Sequence, residues 1–351
     1  MERFHTTLQN KKYSLQGSVS KKCPSNIALI KYWGKRGVQI PMNPSLSFTL
    51  NESRTETKLN FKPKESDGFS IKIFLDGELQ ESFVPKVETF FKRISTYIPF
   101  LEKFEFEIYT HNTFPHSSGI ASSASGMGAL SLCLVELENQ LGANLNEVEK
   151  QQKASFLARL GSGSACRSIY SGITVWGKTQ FVEGSSDLYA VPYPYEIHEV
   201  FQGFQDTILL IEEGQKEVSS TVGHKLMENH PYAERRFESA EENLKKLIPI
   251  LKEGNLEEFG KIVEHEALSL HAMMMTSHPY FILMKPNTLK VIEELWRYRK
   301  RTDLPLFFTL DAGANVHLLY PKQNQIEIKQ FIEVTLKKYC HNGKMINDFT
   351  I

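Results

Sequence analysis

Apolar positions come as short runs and alternations through much of the first half of the chain, and mostly at helical spacing in the second half. Asn26 to Ile30 is a largely apolar run that opens on Lys31-Tyr32-Trp33-Gly34-Lys35-Arg36-Gly37, which predicts a buried strand feeding a cationic loop. Strand-like runs follow at Ser45 to Asn51, Thr55 to Phe61, Phe69 to Leu75 and Phe104 to Tyr109, and a helix fits Val87 to Tyr97. Met127, Leu130, Leu134 and Leu137 recur at helical spacing, so Ala124 to Leu137 reads as a helix. Asn146 is placed to cap a helix running to Leu160, and Ile169 to Trp176 reads as a strand. The first twenty or so residues are polar and mixed in charge, which fits either a flexible arm or an edge strand.

Between Val182 and Ile197 the sequence turns to acids, Pro and Tyr, and a lobe boundary is expected there, giving lobes of residues 1–190 and 191–351. Beyond it, Thr207 to Ile211 is strand-like, while Tyr232 to Lys252, Leu256 to Met275 and Thr288 to Lys300 have helical periodicity. Leu306 to Leu310 and Val316 to Tyr320 read as paired strands flanking Asp311-Ala312-Gly313-Ala314-Asn315. This mixture of strands and helices predicts an α+β fold in both lobes.

Composition narrows the function without naming it. Forty-one basic and 41 acidic residues leave no net charge, so recognition of an anion has to be local, and neither a nucleic-acid nor a membrane partner is expected. No apolar run reaches the roughly 18 residues of a membrane span, and Met1 to Lys12 lacks the apolar centre of a signal peptide, so cytoplasmic residence is expected. Cys23, Cys133, Cys166 and Cys340 are scattered, which fits reduced thiols better than a disulfide frame or a zinc site.

Four islands place small, charged or hydroxylated residues where a plain core would place apolar ones. The first is Asn26 with Lys31, Tyr32, Lys35 and Arg36. The second, Phe114 to Gly126, is a Ser- and Gly-rich loop opening a helix, where free backbone N–H groups and the positive end of the helix dipole favour a phosphate; an ordinary N-cap is the alternative. In the third, Gly161 to Ser168, two glycines and three serines surround Arg167, whose planar fork suits a carboxylate or a phosphate. The fourth is Asp311, at the end of an apolar strand, either a group that positions or deprotonates a hydroxyl or the acceptor of an Asx-turn. A fainter cluster, Ser219-Ser220-Thr221, fits a further phosphate contact or a cap. His265, Glu266 and His271 share one helix without metalloprotease spacing and read as helix surface or lobe interface, and Met273 to Met275 read as core.

Taken together, Asn26 to Arg36, Phe114-Pro115 through Ser122-Ser123-Ala124, Gly161 to Ser168 and Thr309 to Gly313 resemble the motifs of the diphosphomevalonate decarboxylases, in the galactokinase, homoserine kinase, mevalonate kinase and phosphomevalonate kinase (GHMP) superfamily. The resemblance implies a two-lobed GHMP kinase fold. Its N-terminal lobe carries a left-handed β-α-β crossover, its C-terminal lobe is ferredoxin-like, and the substrate sits between them. It implies ATP-dependent conversion of (R)-mevalonate 5-diphosphate to isopentenyl diphosphate, with ADP, phosphate and carbon dioxide released, by an enzyme working as a homodimer. Asp311, Lys31 and Arg167 would be catalytic, with Arg167 also gripping the substrate carboxylate, while Tyr32, Lys35, Ser162, Ser164 and Ser220 would bind the rest of the substrate. Asn112, Pro115, Ser118, Gly119, Ile120, Ala121, Ser122, Ser123 and Ala124 would hold ATP, with Mg²⁺ bridging its phosphates and Ser122 or Ser123 facing the ion. Relatives sharing the scaffold act on mevalonate or its 5-phosphate, or stop at phosphorylation. The chain departs from the common pattern at His116-Ser117-Ser118 and at Ala314, where Pro is usual.

Overall fold

The structure, a computed structural model, describes residues 4–8, 13–115, 122–212 and 220–350; within these the side chains of Ser220 and Thr221 are left out of the description. Its strands in chain order are β1 Gly17–Ile30, β2 Lys35–Arg36, β3 Ile40–Pro41, β4 Ser45–Pro63, β5 Ser70–Leu75, β6 Glu78–Leu79, β7 Phe104–Asn112, β8 Ile173–Trp176, β9 Val191–Pro192, β10 Gln205–Leu209, β11 Phe307–Thr309, β12 Val316–Tyr320 and β13 Met345–Phe349. The α-helices are α1 Val84–Ile94, α2 Ser122–Glu138, α3 Glu147–Gly161, α4 Ser220–Lys225, α5 Ala233–Glu253, α6 Leu256–Met275, α7 Pro286–Thr302 and α8 Gln325–Phe331.

The first sheet runs β6-β5-β7-β4-β8-β9, with β1 also paired to β4. β5 and β7 are parallel neighbours with α1 in the connection between them, so this part of the sheet is a β-α-β unit. The expected strands at Ser45 to Asn51 and Thr55 to Phe61 are one strand, β4. Its polar centre, Asn51-Glu52-Ser53-Arg54, looks like a turn in sequence, but its backbone finds acceptors outside the sheet: Asp348 of β13 accepts from the N–H groups of Asn51, Glu52 and Ser53. The β1/β4 register shifts opposite this point, at Pro24/Asn26, where Pro24 has no N–H to give the ladder. A second correction falls at Ile169 to Trp176. Only Ile173–Trp176 is strand, because Gly163–Ile169 forms a 3₁₀ turn and Gly172 takes a left-handed φ of 79° before the strand begins.

The second sheet runs β11-β12-β10-β13, all antiparallel. Read along the chain, β10, the α5–α7 helices, β11, β12, α8 and β13 make the β-α-β-β-α-β order of a ferredoxin-like lobe, as the resemblance implies. β13 and α8 are elements that the hydrophobic pattern does not single out.

The apolar residues of the described chain pack in clusters around these two sheets. Phe61, Phe91, Phe104 and Phe106 meet α1–α3 on one face of the first sheet, with edge-on ring pairs such as Phe91 and Phe106 at 5.6 Å. α2 sits at the centre of this layer and is buried nearly all round, including Leu130, Leu134 and Leu137. Leu29, Ile30, Leu46 and Phe48 from the other face pack with Leu244 of α5 and Phe259 and Val263 of α6, so the two halves share a core. A third cluster fills the space between the second sheet and α7 and α8.

Candidate active site

The rim of the shared core is where the charged islands meet. Lys31 follows the end of β1, and its side chain is 2% exposed. Asp311 follows β11 and is half-buried. The lysine Nζ donates to Asp311 Oδ1 at 3.0 Å, so two residues 280 positions apart form one ion pair. Burial pushes the Lys31 ammonium below its ordinary pKa; Asp311 and Glu266 oppose that push and Arg167 adds to it.

Arg167 sits in the 3₁₀ turn after α3, 3% exposed. Its Nε donates to Ser47 Oγ at 3.1 Å and Asn26 Oδ1 at 3.3 Å, and one terminal nitrogen donates to Ser45 Oγ at 2.7 Å. Asn26 in turn donates to Ser168 Oγ at 2.7 Å, which fixes the amide so that its oxygen faces the arginine. Among the described residues no carboxylate forms an ion pair with Arg167, although Asp311 lies near enough to act on it electrostatically. A buried guanidinium held only by neutral oxygens keeps its charge and has binding capacity left for an anion.

Tyr32 lies edge-on to Trp176, with ring centroids 4.6 Å apart, and its hydroxyl is buried without a hydrogen-bond partner. Burial pushes that phenol upward, so it remains a donor. Gly163 is required beneath it: a Cβ there would stand 2.8 Å from the Tyr32 hydroxyl and 2.9 Å from the Trp176 ring. Lys35 donates to Gln39 Oε1 at 3.1 Å and is pushed below the usual lysine value by burial and then by Arg93. Ser162 closes α3, and the Ser164 carbonyl accepts from Asn26 at 3.4 Å, which puts both serines beside Arg167 in the same turn. The side chain of Ser220 is outside the described part of the chain.

Across the lobe, Ser122 and Ser123 open α2 beside a cavity of about 270 Å³ that is also lined by Asn112, Lys86 and Met127. Asn112 Oδ1 accepts from Thr55 Oγ1 at 2.7 Å. The Ala124 side chain is in the core, which leaves its backbone N–H at the helix opening as what it can offer a ligand. Pro115 is exposed on the approach to this helix. Ser118, Gly119, Ile120 and Ala121, and the His116-Ser117-Ser118 variation with them, lie outside the described residues. No cluster of His, Cys, Asp and Glu among the described residues could hold a metal ion. The hydroxyls of Ser122 and Ser123 are hard oxygen donors of the kind Mg²⁺ accepts alongside phosphates and water.

Three residues of this region are not legible as site residues in the sequence. His224 lies between the Tyr32 and Trp33 rings, and Arg236 and Glu266 pair behind Lys31. In sequence each sits in an ordinary helical run, and only an acid at a core-facing helical position, as at Glu266, gives any signal.

Most of the chain finds counterparts among known proteins. Residues 23–189 match the diphosphomevalonate decarboxylase-like N-terminal domain, and residues 207–350 match the mevalonate 5-diphosphate decarboxylase C-terminal domain. The diphosphomevalonate decarboxylase of Debaryomyces hansenii is 29% identical over 323 residues, covering 87% of this chain and 80% of the relative. The structure of mevalonate diphosphate decarboxylase from Staphylococcus aureus superposes with a TM-score of 0.82 at 28% identity over 96% of each chain. The structure of MDDEF in complex with MVAPP, AMPPCP and magnesium does so with a TM-score of 0.81 at 30% identity, over 95% of this chain and 97% of that one. Matched in both halves and along nearly its full length, the chain belongs to the diphosphomevalonate decarboxylase family.

Proposed function

We propose that this chain catalyses the ATP-dependent decarboxylation of (R)-mevalonate 5-diphosphate to isopentenyl diphosphate, a step of the mevalonate pathway of isoprenoid synthesis. The observation that carries the reading is the Lys31–Asp311 pair standing beside a buried Arg167 with which no carboxylate of the described chain forms an ion pair. A substrate with a tertiary hydroxyl and a carboxylate on the neighbouring carbon fits that arrangement, with the hydroxyl at Asp311 and the carboxylate in the Arg167 fork.

Asp311 orients the 3-hydroxyl in line with the γ-phosphorus of ATP and takes its proton as the new P–O bond forms and ADP leaves. Lys31 keeps a positive charge against the Asp311 carboxylate throughout, and catalysis rests on positioning and charge neutralisation. The phosphorylated oxygen then departs as phosphate with the C–O electron pair. The C–C bond to the carboxylate breaks, its electrons form the alkene, and carbon dioxide is released. Arg167 holds the carboxylate until that bond breaks. Tyr32, Lys35, Ser162, Ser164 and Ser220 complete the substrate side, with Lys35 and the serines toward its polar ends. Asn112, Pro115 and the 118–124 segment would hold ATP, and the Ser122 and Ser123 hydroxyls would hold a Mg²⁺ that neutralises charge on its phosphates. MDDEF was solved with AMPPCP and magnesium together with MVAPP, which supports this pairing of co-substrate and ion. The working form we expect is a cytoplasmic homodimer.

Release of carbon dioxide and ADP from Mg-ATP, compared across mevalonate, its 5-phosphate and its 5-diphosphate, tests the reading. The expected outcome is equimolar ADP, phosphate and carbon dioxide with the 5-diphosphate. A stable 3-phosphate without carbon dioxide would make the chain a kinase. Absence of ADP formation with all three would make it a binding module.

A further inference from the structure

The geometry points to α6 as the element that sets the Lys31–Asp311 pair, with Glu266 positioning Lys31 and His271 positioning Asp311. This rests on the catalytic reading above and extends it to two residues that touch neither reacting atom.

Glu266 is completely buried. Its Oε2 accepts the backbone N–H of Lys31 at 2.9 Å and one Arg236 terminal nitrogen at 2.7 Å. Oε1 accepts the other Arg236 terminal nitrogen at 3.2 Å and Asn243 Nδ2 at 2.8 Å. The carbonyl of Lys31 accepts from Asn43 Nδ2 at 2.9 Å and from an Arg236 terminal nitrogen at 3.5 Å. Lys31 is therefore gripped at both its N–H and its C=O by side chains, with Glu266 and Arg236 reaching it from more than two hundred positions away. Five residues along the same helix, and about 7.5 Å along its axis, His271 Nε2 lies 3.1 Å from the Asp311 carbonyl oxygen. A carbonyl can only accept, so the His271 proton is on Nε2, and burial holds the ring neutral with its pKa pushed down to about 4. One rigid helix thus reaches the backbone on both sides of an ion pair whose members come from different sheets.

Stability alone gives weak grounds for such a network. A buried Arg–Glu pair loses much of its attraction to desolvation, and apolar replacements of similar size are often as stable. What an apolar pair could not supply is a fixed acceptor for the Lys31 N–H and a negative charge close to the Lys31 ammonium. The charged and titratable groups bearing on that ammonium are Asp311 after β11, Glu266 and His271 of α6, and Arg167 of the 3₁₀ turn, with Arg236 of α5 behind Glu266. Glu266 and Asp311 favour the charged lysine, and Arg167 disfavours it.

The test compares kcat, KM for ATP and the pH profile of kcat in Glu266→Gln, His271→Leu, His271→Gln and Asp311→Asn, each checked for folding by thermal melting. Glu266→Gln keeps the size and an acceptor but removes the charge. The protonated lysine is lost at lower pH, so the alkaline limb of kcat is expected to move down by about one pH unit with KM for ATP unchanged. His271→Leu is expected to lower kcat roughly tenfold or more by letting Asp311 drift, and His271→Gln, whose amide can still donate, to recover most of it. The histidine pair stands alone should Glu266→Gln fail to fold. An unmoved alkaline limb, or equal kcat in His271→Leu and the parent, while Asp311→Asn stays inactive, would overturn the inference and leave the proposed function intact. Normal turnover by Asp311→Asn would remove the catalytic reading and this inference with it.

Discussion

His224 is packed between the rings of Tyr32 and Trp33, and its Nδ1 accepts the backbone N–H of Gly34 at 3.0 Å, so its proton is on Nε2. Burial, then Lys35 and Arg167, push its pKa down to about 3, and burial holds His271 at about 4. Both rings are therefore neutral when folded, whereas the same residues in an unfolded chain take up a proton near pH 6.5. Their packing contributes stability that is fully present above about pH 6.5 and is lost as the pH falls below it, by about 1.4 kcal/mol per pH unit for each ring. Urea denaturation at pH 7 and pH 5 should show that slope, and His224→Gln should flatten it. An NMR titration placing the His224 ring near pH 6.5 in the folded protein would sink this account. At this scale Lys31, Arg167 and Asp311 are legible in sequence because each stands among glycines, serines or aromatics that a plain core would not use. His224, Arg236 and Glu266 are not, since what sets them apart is contact with a distant part of the chain: Glu266 accepts the Lys31 N–H, Arg236 pairs with that Glu266, and His224 stacks on the Tyr32 and Trp33 rings.

α6 was readable to its ends because its start is set locally. Asn255 Oδ1 accepts from the Glu258 N–H at 3.1 Å, and Gly254 takes the left-handed conformation that ends α5 before it. Likewise Asn146 caps α3 with a reciprocal bond from Glu149. β4 was misread for the opposite reason: the acceptors that keep its polar centre extended belong to β13, nearly three hundred residues later. Within α6, Gly260 lies flat against Phe307 of β11, and a Cβ at that position would fall onto the ring. Alanine gains up to about 1 kcal/mol over glycine from helix propensity, but overpacking a core contact costs about 1–3 kcal/mol, so the contact decides the sign. Gly260→Ala is expected to lower the urea midpoint, and because the helix must shift away from β11, to reduce kcat more than it raises KM for ATP. A midpoint equal to or above that of the parent would show that α6 can move freely, which its proposed positioning role does not allow.

At the scale of the whole molecule, the two sheets are joined by more than the shared apolar core. Asp348 is 3% exposed; its Oδ1 accepts from Asn51 and Glu52 at 2.9 Å each, and its Oδ2 from Ser53 at 2.7 Å. Beside it, Leu50 and Thr350 make an isolated β-bridge. The last described strand of the chain is thus tied to the irregular centre of β4, the strand that carries the first sheet. β1, which pairs with β4 and ends just before Lys31, and the second sheet, which leads into Asp311, are held in register partly through this carboxylate. A lobe boundary can be guessed from composition, but this tie cannot, because an acid near the end of a chain looks like any solvated residue. Asp348→Ala would leave the buried Ser53 N–H and the part-buried N–H groups of Asn51 and Glu52 without their acceptor, a loss of about 2–4 kcal/mol in total, most of it from Ser53. Asp348→Asn, which keeps one oxygen, should lose about half as much. If the lobes fold as one unit through their common core, urea unfolding followed by Trp fluorescence and by far-UV circular dichroism should stay superimposable in both variants, with the midpoint lowered. An unchanged midpoint would mean that the carboxylate contributes nothing to the join. Separated transitions in the parent protein would mean that the shared core does not couple the lobes.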